Sequence, residues 1–318
     1  MVTIIIPNYN GHAFLADCLE ALKPQLNDKV HVLVVDNAST DGSVEFLQNY
    51  KGIKTCFLPE NTGFCGAVNA GILASDTKYV ILLNNDTKVL PGYVDNLVEA
   101  MEQDECIFSG SARMLQMHEP ELMDDAGDEY CALGWAFSRG KGKPKTQYEA
   151  SAEVFAACGG ASIYRRAVFD EIGLFDTHHF AYLEDIDIGY RARIYGYRNI
   201  YVPGAQVLHF GSGTSGSRYN AFKVSLSSRN SVYMPWKNMP LLQLILNAPF
   251  LALGYLTKYL FFVKKGLGKE YRKGFAEGVR LCCRPECKEH KVGGLGRHFK
   301  SYCQIQLLLW KNLFRLEH

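Results

Sequence analysis

The stretch VTIIIPNYNGHAFLADCLEALKPQLNDKVHVLVVDNASTDGSVEFLQNY, residues 2–50, decides the fold. It sets two β-branched runs, Val2 to Pro7 and Val30 to Val35, against two stretches of helical periodicity, Phe14 to Leu22 and Ser43 to Tyr50. Strands that alternate with helices predict a mostly parallel sheet with helices on both faces. Working outward, the alternation resumes in Thr55 to Leu58, Gly66 to Ala74 and Tyr79 to Leu83, followed by a helix after Pro91, where proline suits the first turn. From Ser109 to Ala152 the periodicity weakens, and Gly, Lys and Pro accumulate in SRGKGKPK (138–145), so this segment is expected to be exposed loop. Order returns with the apolar Val154 to Tyr164, a helix from Arg165 to Glu171, and a charged helix from Glu184 to Tyr195 ended by Gly196. Two strands, Arg198 to Val202 and Gln206 to Phe210, follow.

A chain of 318 residues, 47% hydrophobic and 21% charged, has the means to bury a large core. The opening residues enter a strand directly, without a signal-like basic and apolar leader, which predicts a cytoplasmic chain. Ten cysteines then read as reduced thiols. Cys282, Cys283, Cys287 and His290 cluster in sequence and raise a zinc site as the lesser alternative, because paired C-x-x-C or H-x-x-x-H arms are missing.

The net charge of +1 hides an asymmetry. Residues 1–236 hold 19 Lys and Arg against 28 Asp and Glu, and residues 237–318 hold 15 against 5. The expected division is therefore an acidic α/β domain over 1–236 and a basic helical tail over 237–318. The tail opens with the apolar run Leu241 to Val263, interrupted by Asn247, Pro249, Gly254 and Lys258, and continues into Lys264, Lys265, Lys269, Arg272 and Lys273. A spanning helix needs ~20 apolar residues. The interruptions favour helices lying in the membrane interface with lysines at the headgroups, over a span or an ordinary packed subdomain. So apolar a run is a poor phosphate-binding arm, which argues against nucleic acid.

Candidate chemistry falls at strand ends. Asn8, Tyr9 and Asn10 follow the first strand, and Asp36, Asn37, Ser39 and Asp41 follow the second, where sheets of this class bind ligands beyond their carboxyl edge. Asp36 either accepts from a base or ribose or serves as a cap; Asp41 reads as turn chemistry. Neither a P-loop nor a dinucleotide fingerprint is present. In LLNNDT, residues 82–87, the single Asp86 ends a strand and suits Mg²⁺ or Mn²⁺ completed by phosphates and water, or else a plain turn. Glu184, Asp185 and Asp187 crowd into one helical turn, which either prepares a general base or simply complements the helix dipole, with Asp187 and Arg191 paired at i,i+4. His209 ends a strand, as structure or as a ligand.

Taken in order, TIIIPNYNG, VVDNASTDGS, NTGFCGAVNAG, LLNNDT, FDEIGLFDTHHFAYLEDIDIGYRARIYG and VPGAQVLHF resemble glycosyltransferase family 2, in particular its rhamnosyltransferases and surface-polysaccharide transferases. The matching pieces span Thr3 to Phe210. The resemblance implies a GT-A fold, a single α/β sheet domain with helices on both faces, extended here by C-terminal helices. It implies an inverting, metal-dependent glycosyltransferase that moves rhamnose from dTDP-rhamnose, or a sugar from a UDP-sugar, onto a cell-envelope glycan or lipid-linked acceptor. On matched positions, Pro7, Tyr9, Asn10, Asp36, Asn61, Gly63, Asn69, Asn84 and Asn85 would line the donor site, with Arg191 near the diphosphate. Asp86 and His209 would hold the metal, although the family's Asp-any-Asp motif retains only its last acid. Asp185 would be the base and Glu184 its or the acceptor's orienter. The tail resembles extensions that rest on the cytoplasmic face of the membrane. The competing readings are a sugar-phosphate nucleotidyltransferase, disfavoured by the missing glycine-rich opening loop, and an idle membrane-associated sugar-nucleotide binding protein.

Overall fold

The computed structural model describes residues 1–211, 219–292 and 296–316. The isoleucines of the first strand show why the chain folds as a sheet covered on both sides. Ile4 and Ile6 point into a core with Leu15, Leu19 and Leu97, whereas Ile5 points to the opposite core with Val68 and Ile72. A strand with both faces buried cannot alternate in polarity, so it reads as a continuous apolar run.

The strands are β1 (Val2–Asn8), β2 (Val30–Asp36), β3 (Lys54–Phe57), β4 (Tyr79–Leu83), β5 (Thr87–Val89), β6 (Ile107–Gln116), β7 (Met123–Asp125), β8 (Asp128–Tyr130), β9 (Ala136–Ser138), β10 (Ala152–Val154), β11 (Ala161–Arg165) and β12 (Arg198–His209). Helices α1 (His12–Leu22), α2 (Ser43–Asn49), α3 (Gly63–Leu73), α4 (Tyr93–Glu102), the short α5 (Phe169–Ile172) and α6 (Glu184–Ile194) surround the sheet. The tail is α7 (Ala221–Asn238), α8 (Leu241–Lys264), α9 (Gly268–Cys283), α10 (Pro285–Glu289) and α11 (Phe299–Lys311). The main sheet runs β10-β12-β6-β11-β4-β1-β2-β3, with β5 on β12 and β7 on β6; β8 and β9 form a separate hairpin. Strands β1, β2, β3 and β4 are parallel, so their carboxyl ends lie at one edge, while β11 runs against β4 and β6.

Three expectations are corrected. The segment from Ser109 to Ala152 is exposed loop only in part: SRGKGKPK is mostly turn, but β6 is a central strand, Ser109 and Ser111 are buried, and residues 123–132 are buried too. Ser109 Oγ donates to Asn199 Oδ1 and Ser111 Oγ accepts from Cys158 N, so buried serines are satisfied where apolar residues were sought. The two strands expected after Gly196 are one strand, β12, irregular between Val202 and Gln206 around Pro203 and Gly204. The boundary expected at 236/237 falls inside α7 (Ala221–Asn238), so no break in the chain's structure coincides with it.

The join between halves is ionic and buried. Asp187 Oδ2 accepts from Arg191 Nη2 at 2.9 Å and Lys237 Nζ at 2.9 Å, and its Oδ1 accepts from Asn238 Nδ2 at 2.7 Å. Lys237 also donates to Asp176 Oδ2 at 2.8 Å, beside the Tyr233 hydroxyl at 2.8 Å. Around this network Ile186, Tyr190 and Ile194 of α6 pack on Met234, Met239, Tyr302, Ile305 and Leu309 of the tail. Burial would raise the Asp187 carboxyl, but Lys237 and Arg191 hold it well below its ordinary 3.8. Burial likewise raises the Asp176 carboxyl, but Lys237 outweighs it and holds that group well below its ordinary value.

Removing one partner of a buried pair leaves an uncompensated charge, at about 3–5 kcal/mol. Lys237→Met is therefore expected to cost stability of that order in denaturant unfolding at pH 7. Because both carboxyls are depressed in the folded chain, their contribution is complete above about pH 4 and is lost as pH falls below the unfolded value. The gap between wild type and variant should accordingly narrow at pH 3.

Candidate active site

The parallel register sets the first part of the site. Asn8 lies opposite Asp36 across β1 and β2, and its Nδ2 donates to Asp36 Oδ1 at 2.8 Å. Asp36 Oδ2 accepts from Ser39 N at 2.9 Å, which shapes the turn after β2. Asp41 accepts from His12 N and from Ser43, as turn chemistry requires. Tyr9 is exposed beside this floor and Pro7 half-buried. Asn10 Oδ1 accepts from Thr40 N, tying the two strand-end loops together.

Asn37 was named in the sequence only as part of a polar cluster, yet it organises the next loop. Its Nδ2 donates to Asn61 Oδ1 and Gly63 O, and its Oδ1 accepts from Thr62 N. Gly63 has φ +74, and a Cβ there would stand 2.5 Å from Phe180 O. Asn69 is turned elsewhere: its carboxamide accepts from Phe175 N and donates to Phe175 O, so it fixes the loop before α6 rather than facing the crevice. Asn85 is likewise directed inward, donating to Asn8 Oδ1 at 2.6 Å, while Asn84 remains half-buried at the strand end.

Asp86 and His209 meet because β5 pairs antiparallel with β12, setting Thr87 opposite His209. His209 Nε2 lies 3.3 Å from Asp86 Oδ1, and on its other side Asp124 Oδ2 accepts from Nδ1 at 2.7 Å. Burial disfavours the imidazolium, but Asp124 and Asp86 outweigh it and push His209 up to about 9. Asp124, also bound by Lys141 at 2.7 Å, is held down to about 2 against its burial. Two carboxylates thus converge on a site that already demands positive charge.

The donor set fits a divalent ion: one carboxylate oxygen and one imidazole nitrogen at the separation of neighbouring ligands. The second imidazole nitrogen is bonded to a carboxylate, as orients metal-bound histidines. The cysteine-rich alternative does not assemble. Among the described residues, Cys282, Cys283 and Cys287 join no group of metal-ligating side chains, and His290 lies instead near Asp176 and His178.

Asp124 belongs to a strand that leads to the acids of α6, a link the sequence reading missed because DDAGDEY (124–130) sat in the presumed loop. One carboxylate oxygen each of Asp125 and Asp128 and the sulfur of Cys158 lie within 4.8 Å of one another. Burial raises Asp125 to about 7. Burial, and then the charges of Asp125 and Asp185, raise Asp128 well above its ordinary range, while the neighbouring Asp128 side chain lowers Asp185, so of the two it is Asp128 whose protonated form is favoured. Asp185 is half-buried and accepts from Ile186 N at 2.7 Å; burial raises it, while this amide and the Asp128 proton favour its ionised form. Glu184 is buried, with one carboxylate oxygen lacking a partner, and burial and then Asp185 raise it.

The loop that delivers α6 is held under strain. Phe180, Tyr182 and Leu183 all have positive φ, and Asn230 Nδ2 donates to the carbonyls of His179, Ala181 and Tyr182. Arg191 does not reach the donor side. Its guanidinium is committed to Asp187 and to the carbonyls of Ile172, Gly173 and Leu174, which corrects its expected place beside the diphosphate.

A mixed sheet covered by helices, with Asn8 and Asp36 at the carboxyl ends of its parallel strands and Asp86 just past another, is the frame of a GT-A glycosyltransferase. The chain belongs to glycosyl transferase family 2, whose description matches residues 3–173. It is 26% identical over 246 residues to the N-acetylglucosaminyl-diphospho-decaprenol L-rhamnosyltransferase of Mycobacterium tuberculosis, covering 68% of this chain and 78% of that protein. In fold it is similar to residues 1–349 of S. aureus TarS in complex with UDP-GlcNAc (TM-score 0.56, 14% identity, 100% of this chain and 92% of that one). It is also similar to the mannosyltransferase PcManGT of Pyrobaculum calidifontis in complex with GDP-Man and Mn²⁺ (TM-score 0.54, 15% identity, 99% and 88%).

A methyl group at Gly11 would fall 2.0 Å from Asn85 Nδ2 and 2.6 Å from Asn8 Oδ1, breaking the Asn85–Asn8–Asp36 chain. Gly11→Ala is expected to cost about 1–3 kcal/mol in thermal or denaturant unfolding, as overpacking does. It should also weaken nucleotide binding.

Proposed function

We propose that this transferase moves a sugar, with inversion, from a nucleotide-diphosphate donor onto a lipid-linked or glycan acceptor of the cell envelope, working from the cytoplasmic face of the membrane. The observation that supports this reading is that one short strand carries both Asp124, which bonds His209 beside Asp86, and Asp125, which lies with Asp128 next to Asp185, so a cation-demanding corner and a buried carboxylate cluster are held by the same segment. The donor is dTDP-rhamnose or a UDP-sugar, with its base over Asp36, Tyr9 and Asn10 and its diphosphate towards Asp86. Asp86 and His209 hold Mn²⁺ or Mg²⁺, which when bound offsets charge on the departing diphosphate.

Asp185 accepts the proton of the acceptor hydroxyl as that oxygen attacks the anomeric carbon opposite the leaving group. Asp128, protonated, steadies the ionised form of Asp185 by donating a hydrogen bond to it, and the adjacent Glu184 orients the base or the acceptor. The likeness to the mycobacterial enzyme supports rhamnose as the sugar and a lipid-borne diphosphate as the acceptor's anchor.

Membrane contact is supported by α8. It is long and apolar enough to cross a bilayer, but Gln243 and Asn247 are buried on its protein side, where Asn247 and Gln306 exchange hydrogen bonds. Leu241, Leu242, Ile245, Leu253, Leu256 and Leu260 are exposed on the other side. One apolar face and a flank of lysines suit an interfacial helix.

Asp185→Asn should abolish transfer while retaining donor binding; wild-type turnover would remove it from the mechanism. At position 128, Asn keeps a neutral donor and is expected to retain activity within a few-fold. Ala removes it, so transfer should fall roughly 10- to 100-fold, with the acidic limb of the rate profile displaced to higher pH. In a thermal-shift series of UDP-, dTDP- and GDP-sugars, binding to the native state raises its midpoint. A Mn²⁺-dependent shift lost in Asp86→Ala and His209→Ala is expected. An EDTA-insensitive shift would remove the metal.

A further inference from the structure

The tail holds a cleft that none of this chemistry uses. It measures about 750 Å³ and lies between the first turns of α7 and α9. The two helices run parallel and touch closely at the floor of the cleft: a Cβ on Gly274 would stand 2.0 Å from Ser225 O, and one on Gly278 2.5 Å from Arg229 O. Phe222 and Leu226 supply apolar lining, and Lys269 and Lys273 stand on the opposite wall, exposed and without an ion-pair partner among the described residues. Glu270 and Glu277 also line the cleft, but Glu277 is engaged by Arg280 and Arg284.

Its two ends lead to different places. Inward, Phe222 meets Phe180 edge-on at 6.3 Å, and the carbonyl of Phe180 accepts from Cys65 N beside Gly63. Arg229, in the wall of the cleft, donates to the carbonyls of His178 and His179, so cleft and strained loop share one helical turn. Outward, Phe261 packs on Tyr219 at 5.7 Å, and Leu260 and Val263 continue an exposed apolar path along α8, flanked by Lys264 and Lys265.

We propose that this cleft seats the diphosphate and first carbons of a lipid-borne acceptor. Lys269 and Lys273 take the phosphates, Phe222 and Leu226 take the first carbons of the chain, and the exposed face of α8 carries the remainder to the bilayer. The sugar at the far side of the diphosphate then lies towards Phe180 and the crevice. This assignment rests on the transferase reading above and specifies where its acceptor is held. The basic excess of the tail thereby acquires a definite partner, a dianionic headgroup rather than a diffuse surface.

The test measures binding of farnesyl diphosphate, farnesol and inorganic pyrophosphate to the full chain by calorimetry, with and without saturating UDP and dTDP. Farnesyl diphosphate is expected to bind more tightly than either fragment and to remain bound with nucleotide present. The Lys269→Ala, Lys273→Ala double variant, altered only at exposed positions and checked for an unchanged unfolding midpoint, should weaken it at least about tenfold. Phe222→Ala should weaken farnesyl diphosphate while leaving pyrophosphate unaffected. Unchanged affinity in the lysine variant, or displacement of the probe by nucleotide, overturns the assignment. If nucleotides bind normally in that case, the cleft falls and the transferase reading stands; if wild-type protein binds no nucleotide, that reading falls and takes the cleft with it.

Discussion

The packing of this molecule depends on keeping a helix that begins with three acids, Glu184, Asp185 and Asp187, in the interior. Asp187 makes this tenable because it is fully neutralised from two directions, by Arg191 on its own helix and by Lys237 from the tail. Buried charge is costly unless paired and hydrogen-bonded, and here every oxygen of Asp187 has a donor. The tail is thus part of the mechanism's scaffold, since without Lys237 the α6 carboxylates would face one another with no cation of the tail among them.

The remaining acids solve the same problem by protonation rather than pairing. Asp125, Asp128 and Glu184 are buried, and their carboxyls are raised, so the cluster around Asp185 carries less negative charge than its composition suggests. At the other end Asp86 and Asp124 share His209, and Asp124 is held well below its ordinary value by His209 and Lys141. The strand of Asp124 and Asp125 therefore stands between a buried cluster of raised carboxyls and a corner where carboxylates meet an imidazole, and the proposed transferase reading uses those two different characters.

The tail adds a surface of a different kind. Helix α8 buries Gln243 and Asn247 towards the protein, the latter on Gln306 of α11, and exposes leucines outward, the reverse of a solvated helix. That inversion is the physical basis for reading α8 as facing lipid, and the cleft between α7 and α9 lies where this face approaches the loop of Phe180.

Much of this was legible in residues 2–50, because doubly buried strands must be continuously apolar and their ends must be polar; Asn8, Asp36 and Asp86 announce themselves by position along the chain. The Ser109 to Ala152 segment was not legible, because serines satisfied by distant partners such as Asn199 carry no local mark of burial. The sequence alone determined the sheet, the strand-end acids, the acidic opening of α6 and the charge of the tail, all of which follow from local pattern and composition. Only the tertiary structure decided that Asp128 donates to Asp185, that Asp124 orients His209, that Arg191 and Asn69 brace loops instead of a donor, and that Lys237 closes the network. Each of those is a pairing between residues far apart in the chain, and hydrogen bonding and charge neutralisation act through distance in space, which spacing along a sequence does not encode.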